Sequence, residues 1–187
     1  HSDTLVVGAP KADRVDATDA GISYVYKRDG GGVWQLVQTL LSTTFKANDL
    51  FGRAVDIDND VIVIGSPKDS DSDYGAAFVF SNSSTNPAAP WVMDRKLTHA
   101  NKSGGDEFGT SVSVDRDIVT VGVPLIEDPS WSTGQVFVYG RHEGGSNQWA
   151  LVERLRSPDG INYSLFGGAL ALDQHTLVVA SPSEYIY

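Results

Sequence analysis

Asp69, Asp71 and Asp73 place three carboxylates at alternate positions of one short stretch, Asp69-Ser70-Asp71-Ser72-Asp73-Tyr74-Gly75. Folded around Ca²⁺, such a loop would offer oxygens to the ion, and the ion would relieve repulsion among like charges. The spacing departs from an EF-hand loop, which wants Gly sixth and Glu twelfth where this chain has Tyr74 and Phe80. Comparable stretches elsewhere carry Asp13, Asp16 and Asp19, or only Glu127 and Asp128. A solvated acidic surface is the stronger reading, and calcium at Asp69, Asp71 and Asp73 is its rival.

Covalent modification is the second chemistry on offer. Asn82-Ser83-Ser84, Asn101-Lys102-Ser103 and Asn162-Tyr163-Ser164 are acceptor triplets for N-linked glycans, each in a polar loop and none on a predicted strand. Glycans at Asn82, Asn101 and Asn162 would mean a secreted protein of a eukaryote. The competing reading is an unglycosylated bacterial protein. Trp131, in the loop Pro129-Ser130-Trp131-Ser132 beside Asp128, is an aromatic anchor that could face a partner or a glycan. Folding over a sheet edge is the plainer alternative for it.

Catalysis finds little support. His1, His99, His142 and His175 are scattered through turns, with no His-Glu-x-x-His pair. There is no Gly-x-Ser-x-Gly elbow, phosphate loop or dinucleotide turn. The expectation is a protein that is not an enzyme and has no catalytic residues. A net charge of −10 argues against nucleic acid, because a phosphate backbone needs clustered Lys and Arg. No apolar run approaches the roughly 18 residues of a membrane helix. Without cysteine the chain has no disulfides and no thiolate metal site.

The elements that position these residues follow from a repeat. Phe51 to Pro67 reads FGRAVDIDNDVIVIGSP, Phe108 to Pro124 reads FGTSVSVDRDIVTVGVP, and Phe166 to Pro182 reads FGGALALDQHTLVVASP. Asp3 to Pro10, DTLVVGAP, is the second half of a further copy. Phe51, Phe108 and Phe166 lie 57 and 58 residues apart, and Trp34, Trp91 and Trp149 keep the same intervals. A period this regular outranks any local reading.

One repeat resolves into four short strands. In the second, Arg53–Ile57 runs into an Asp58-Asn59-Asp60 turn, Val61–Ile64 returns to Gly65-Ser66-Pro67, and Ala76–Phe80 and the Trp91–Leu97 stretch follow. No stretch has a helical period. The fold class is therefore all-β: four-stranded blades of a β-propeller, about three repeats within residues 1–187. The recurring aromatics, Trp34, Trp91 and Trp149 among them, are expected to pack blade against blade rather than stack on sugars. Three blades alone leave two apolar faces bare, and the chain starts and stops inside a unit. Both points predict a piece of a larger propeller.

The Phe-Gly start, the Gly-x-Pro end, the Gly-led third strand and the Trp strand resemble FG-GAP repeats, as in the seven-bladed propeller of integrin α chains. Calcium-binding repeats of that type carry an Asp-x-Asp/Asn-x-Asp-Gly-x-x-Asp loop after the Phe-Gly strand. Here only Asp58-Asn59-Asp60, Asp115-Arg116-Asp117 and Asp173-Gln174-His175 stand there, too short to wrap an ion, so the chain is similar to the short variant. The resemblance implies extracellular recognition or adhesion at the cell surface, in the matrix or in an appendage. The contacts would be with protein partners or further copies, made through rim loops. A lectin-like propeller binding glycans is the alternative, and an accessory propeller of a larger secreted enzyme the outside one.

Overall fold

A computed structural model describes residues 3–69, 73–82, 84, 89–100, 103–127, 133–145 and 148–182. Thirteen strands and no helix occur among them. The first sheet is β1 (Thr4–Ala9), β2 (Ile22–Arg28) and β3 (Trp34–Leu40) in spatial order. The second is β4 (Ala54–Asp58), β5 (Val61–Ser66), β6 (Ala76–Ser81) and β7 (Val92–Leu97). The third is β8 (Ser111–Asp115), β9 (Ile118–Val123), β10 (Gln135–Arg141) and β11 (Trp149–Arg156). A last pair, β12 (Ala169–Asp173) and β13 (Thr176–Ala180), opens a fourth. Every pairing within these sheets is antiparallel, the blade arrangement expected from the repeat.

The second sheet explains why its strands are apolar on both faces. Ile62, Ile64, Phe78 and Phe80 pack with Val6, Val25 and Leu40 of the first sheet. Val61, Val63, Ala77 and Val79 pack with Val119, Val121 and Phe137 of the third. Successive residues of a strand point to opposite faces, so a continuous β-branched run suits a sheet covered on both sides. The recurring Phe closes each junction: Phe51 and Phe108 are fully buried. Their amides bond the carbonyls of Ala20 and Tyr74, in the loops that lead into β2 and β6, at 3.1 and 3.0 Å.

The innermost strands are tied together by a relay at one repeat position. Asp56 Oδ2 accepts from Ser113 Oγ at 2.8 Å and from the Val114 amide at 2.9 Å. Ser113 Oγ in turn accepts from the Leu172 amide at 3.1 Å. Asp56 and Ser113 are the same repeat position in successive sheets, 57 residues apart. Asp56→Ala strands both donors of the third sheet and is expected to cost about 2 kcal/mol, the order of a hydrogen bond to a charged group. Urea denaturation checks it; a loss within about 0.5 kcal/mol, typical of a neutral surface change, would show that the relay adds nothing.

Three local expectations shift. The hairpin turn of the second sheet is two residues, because Asp58 pairs with Val61 and only Asn59 and Asp60 lie outside the ladder. Each outer strand carries a bulge, with Val37, Asp94 and Val152 left out of register at the repeat interval. Trp91 and Trp149 are buried in the junctions as expected, but Trp34 is 41% exposed. It lies on the outer strand of the first sheet, where no earlier sheet of this chain covers it, and the Arg28 guanidinium lies 5.6 Å from its ring.

Candidate functional site

Antiparallel pairing sorts the connections onto two rims. Links from the second to the third strand of a sheet, and from the fourth strand to the next sheet, open on one rim. That rim carries Asp69, Asp73 and Asn162; the hairpin turns and Asn82 lie on the other. Asp71, Asn101, Asp128 and Trp131 lie outside the described residues.

The acidic stretch is not solvated at its start. Asp69 is 5% exposed, and its Oδ1 accepts from Lys96 Nζ at 2.5 Å. Lys96 Nζ also reaches Thr44 Oγ1 at 3.4 Å and lies 5.3 Å from the centre of the buried Phe78 ring. Asp73, at the other end, faces Lys68 at 3.5 Å. With Asp69 and Asp73 turned to separate lysines, no group of three or more carboxylates or histidines among the described residues is placed to hold calcium.

Above the Asp69–Lys96 pair is a cavity of about 580 Å³, walled by Thr43, Thr44, Phe45 and Lys46 and floored by Asp49. Asp49 is 2% exposed and accepts from the Lys46 amide at 2.6 Å. Arg14, from the preceding loop, lays its guanidinium 3.5 Å from the centre of the Phe45 ring. It also bonds the Ser42 carbonyl and hydroxyl at 3.2 and 3.3 Å. Burial pulls the Arg14 pKa below its ordinary value, and the nearby Asp49 charge pulls it back.

The sheets, the close Phe-Gly junctions and the repeat interval all describe one unit used in succession. The profile of the FG-GAP repeat family matches residues 34–80 and 91–139. The chain belongs to this family. No curated protein matches it. No helix among the described residues is long and apolar enough to cross a membrane.

Among the described residues of this FG-GAP chain, the counterparts of the cavity lining differ from repeat to repeat. Two residues after the recurring Pro stand Ala12, Asp69 and Ile126 in successive repeats. Ile126 is buried in the apolar core of the third sheet, so the acid of the second repeat is shared by neither the first nor the third copy, while Glu184, outside the described residues, follows Pro182 at the same interval. Arg154 takes the place of Lys96, with its guanidinium 5.2 Å from the Phe137 ring centre, but meets no acid from that position. His99 stands where the first repeat has Ser42, buried and stacked on Phe108 with ring centres 5.6 Å apart. Its Nε2 is 3.2 Å from Asp106 Oδ2, the counterpart of Asp49.

Asp106 supplies a pH test of this filled junction. Burial raises its pKa, the hydrogen bond from the Ser103 amide opposes the rise, and the charge of Glu127 adds to it. The folded chain thus holds this proton to higher pH than the unfolded chain. Its contribution to stability declines as pH climbs from the ordinary carboxylate value through the raised one. Asp106→Asn removes that decline, so the melting temperature of the variant relative to the parent is expected to rise with pH across the weakly acidic range. A constant offset would count against a buried, desolvated carboxylate.

Asn82 and Asn162 offer unequal sites for a glycan. Asn162 is exposed, whereas Asn82 is half-buried and donates Nδ2 to the Ala89 carbonyl at 2.8 Å. Asn82 also bonds the Asp60 carbonyl through its amide at 2.9 Å, closing the end of β6.

Proposed function

We propose that the chain is a non-catalytic, extracellular protein-interaction segment of a larger FG-GAP propeller. It contacts its partner, a protein or a further copy, through the rim that carries Asp69 and Asn162. The observation that carries this reading is the unlikeness of equivalent rim positions. One repeat places a buried carboxylate, paired with the partly exposed Lys96, at an open cavity where its neighbour buries Ile126 and His99. A lectin built from these repeats would be expected to offer like pockets from blade to blade. A surface that differs from junction to junction suits one asymmetric protein contact instead.

Amine cross-linking of the native protein in its source material tests the reading. Lys11, Lys46, Lys68 and Lys96 belong to the proposed rim and Lys27 lies towards the other. Intermolecular links concentrated on the first group support the rim. Links through Lys27 alone, or none, would refute it.

Secretion has its own test. The polypeptide weighs 20.1 kDa, and native protein is expected to carry extra mass that falls on enzymatic deglycosylation, with Asn162 the occupied site. Native protein with bare Asn162 peptide and no such loss would remove the support that the acceptor triplets give to an extracellular address.

A further inference from the structure

We infer that the cavity over Asp69 and Lys96 is a receptor for a carboxylate side chain, Asp or Glu, presented by the protein partner. The inference rests on the rim reading above and adds the chemistry of the contact.

Burial separates donors from acceptors. The carboxylates of Asp49 and Asp69 form the floor, each engaged from within by Lys46 N or Lys96 Nζ. Among the described residues, the groups at the mouth are the Thr43 and Thr44 side chains, exposed Lys46 and the partly exposed Lys96. A ligand entering from solvent therefore meets hydroxyls and ammonium groups, although the chain as a whole has a net charge of −10. An acceptor-only group, a carboxylate, complements such a mouth.

Asp69 has a definite part in this. Lysine is flexible and usually trails into water. Here the buried Asp69 oxygen, the Thr44 hydroxyl and the Phe78 ring together hold Lys96 at the cavity wall. The ammonium is thus oriented before any ligand arrives, which lowers the ordering cost of binding. The same position holds Ala12 in the first copy and Ile126 in the third, so the acid is not needed to build a blade.

A sugar is the less suitable occupant. Stacking a pyranose needs an open aromatic face, but the Arg14 guanidinium, 3.5 Å from the ring centre, already covers one face of the partly exposed Phe45, and Phe78 is fully buried. The volume of about 580 Å³ accommodates one side chain with its solvating water.

The test is a ¹⁵N-correlation NMR titration of the whole chain with N-acetylglutamate methylamide, its glutamine counterpart and methyl β-glucuronide. The glutamate compound is expected to give saturable shifts at Thr44, Phe45, Lys46 and Lys96, with a Kd on the order of ten millimolar for a single fragment. The glutamine compound should bind up to about fivefold more weakly, the effect of one charge pair. Lys46→Met, at an exposed position, should weaken glutamate binding by about the same factor. The double variant Asp69→Asn with Lys96→Met, which leaves no buried carboxylate unpaired, should abolish the shifts while the rest of the spectrum stays dispersed.

Equal shifts from the glutamine compound would overturn the carboxylate assignment yet leave the rim as a contact surface. Tighter binding of the glucuronide would overturn it in favour of a sugar acid and revive the lectin. Shifts confined to the Asn59 and Arg116 turns would sink both the carboxylate assignment and the rim reading. Unchanged affinity in the double variant would also overturn the assignment.

Discussion

Gly65→Ala is expected to cost more than about 3 kcal/mol, beyond the usual range for overpacking a core. A Cβ at Gly65 would lie 2.0 Å from the carbonyl oxygen of Gly109 and 3.0 Å from its carbonyl carbon. Those atoms belong to the backbone of the next sheet and cannot rotate away as a side-chain tip would. Gly109 is itself held, with its amide on the Gly122 carbonyl at 3.1 Å and a φ of +94°. The same approach joins Gly8 to Gly52 and Gly122 to Gly167, each at 2.0 Å. Relief requires the sheets to move apart, which opens the packing between them. Gly30→Ala is the control, since its Cβ would meet nothing within 4 Å, and it should stay within about 0.5 kcal/mol of the parent. Urea denaturation of the two variants decides it: a Gly65→Ala loss below about 1 kcal/mol would mean that the sheets do not dock by this backbone contact.

That contact shows which parts of the fold were legible from the residues. The recurrence of Gly-x-Pro marked the end of the second strand of each unit, and Val61–Ile64 read as a strand because it is a short β-branched apolar run between a turn and that Gly-x-Pro stop. What lay hidden depends on neighbours brought together only by folding. Asp56 has nothing in its own strand to announce its role; its partners, Ser113 and the Val114 amide, are 57 and 58 residues away. The bulges at Val37, Asp94 and Val152 were invisible for a related reason, because register is set by the partner strand rather than by local composition.

The candidate site was half legible. Asp69 drew notice as one of three alternating acids, but both readings, a metal ligand or a solvated charge, took the loop by itself. The informative comparison runs down the repeat: Ala12, Asp69 and Ile126 occupy one position, and the acid among them is buried against Lys96. A charge at a repeat position that the first and third copies fill with an apolar residue needs a partner where it is buried, because burying it alone is costly. Lys96, half a repeat away in the Trp91–Leu97 strand, could not be chosen as that partner from spacing. His99 was likewise read as one of several scattered histidines, although it stands where the first repeat has Ser42 and fills the junction behind Phe108.

Phe108→Ala is the second large effect, and it tests whether the sheets behave as coupled units. Phe108 is fully buried, with its ring centre 5.6 Å from His99, 5.5 Å from Phe137 and 6.4 Å from Tyr139. Truncating a buried Phe typically costs about 3–5 kcal/mol through lost transfer energy and the remaining cavity. The backbone at this site is pinned, with the Phe108 amide on the Tyr74 carbonyl at 3.0 Å, so the cavity cannot readily collapse. Phe166 occupies the same position in the last repeat but is only half-buried, and Phe166→Ala should cost about 1–2 kcal/mol, in proportion to the area it covers. The two losses also differ in kind. Phe108 lies between the second and third sheets, and in a repeat array the interface term holds neighbouring units in one transition. Weakening that term should broaden the urea transition of Phe108→Ala and lower its apparent m value, whereas Phe166→Ala should shift the midpoint and leave the slope alone. Equal losses with equal slopes would mean that the interface between the second and third sheets contributes no more to cooperativity than the last, half-covered one.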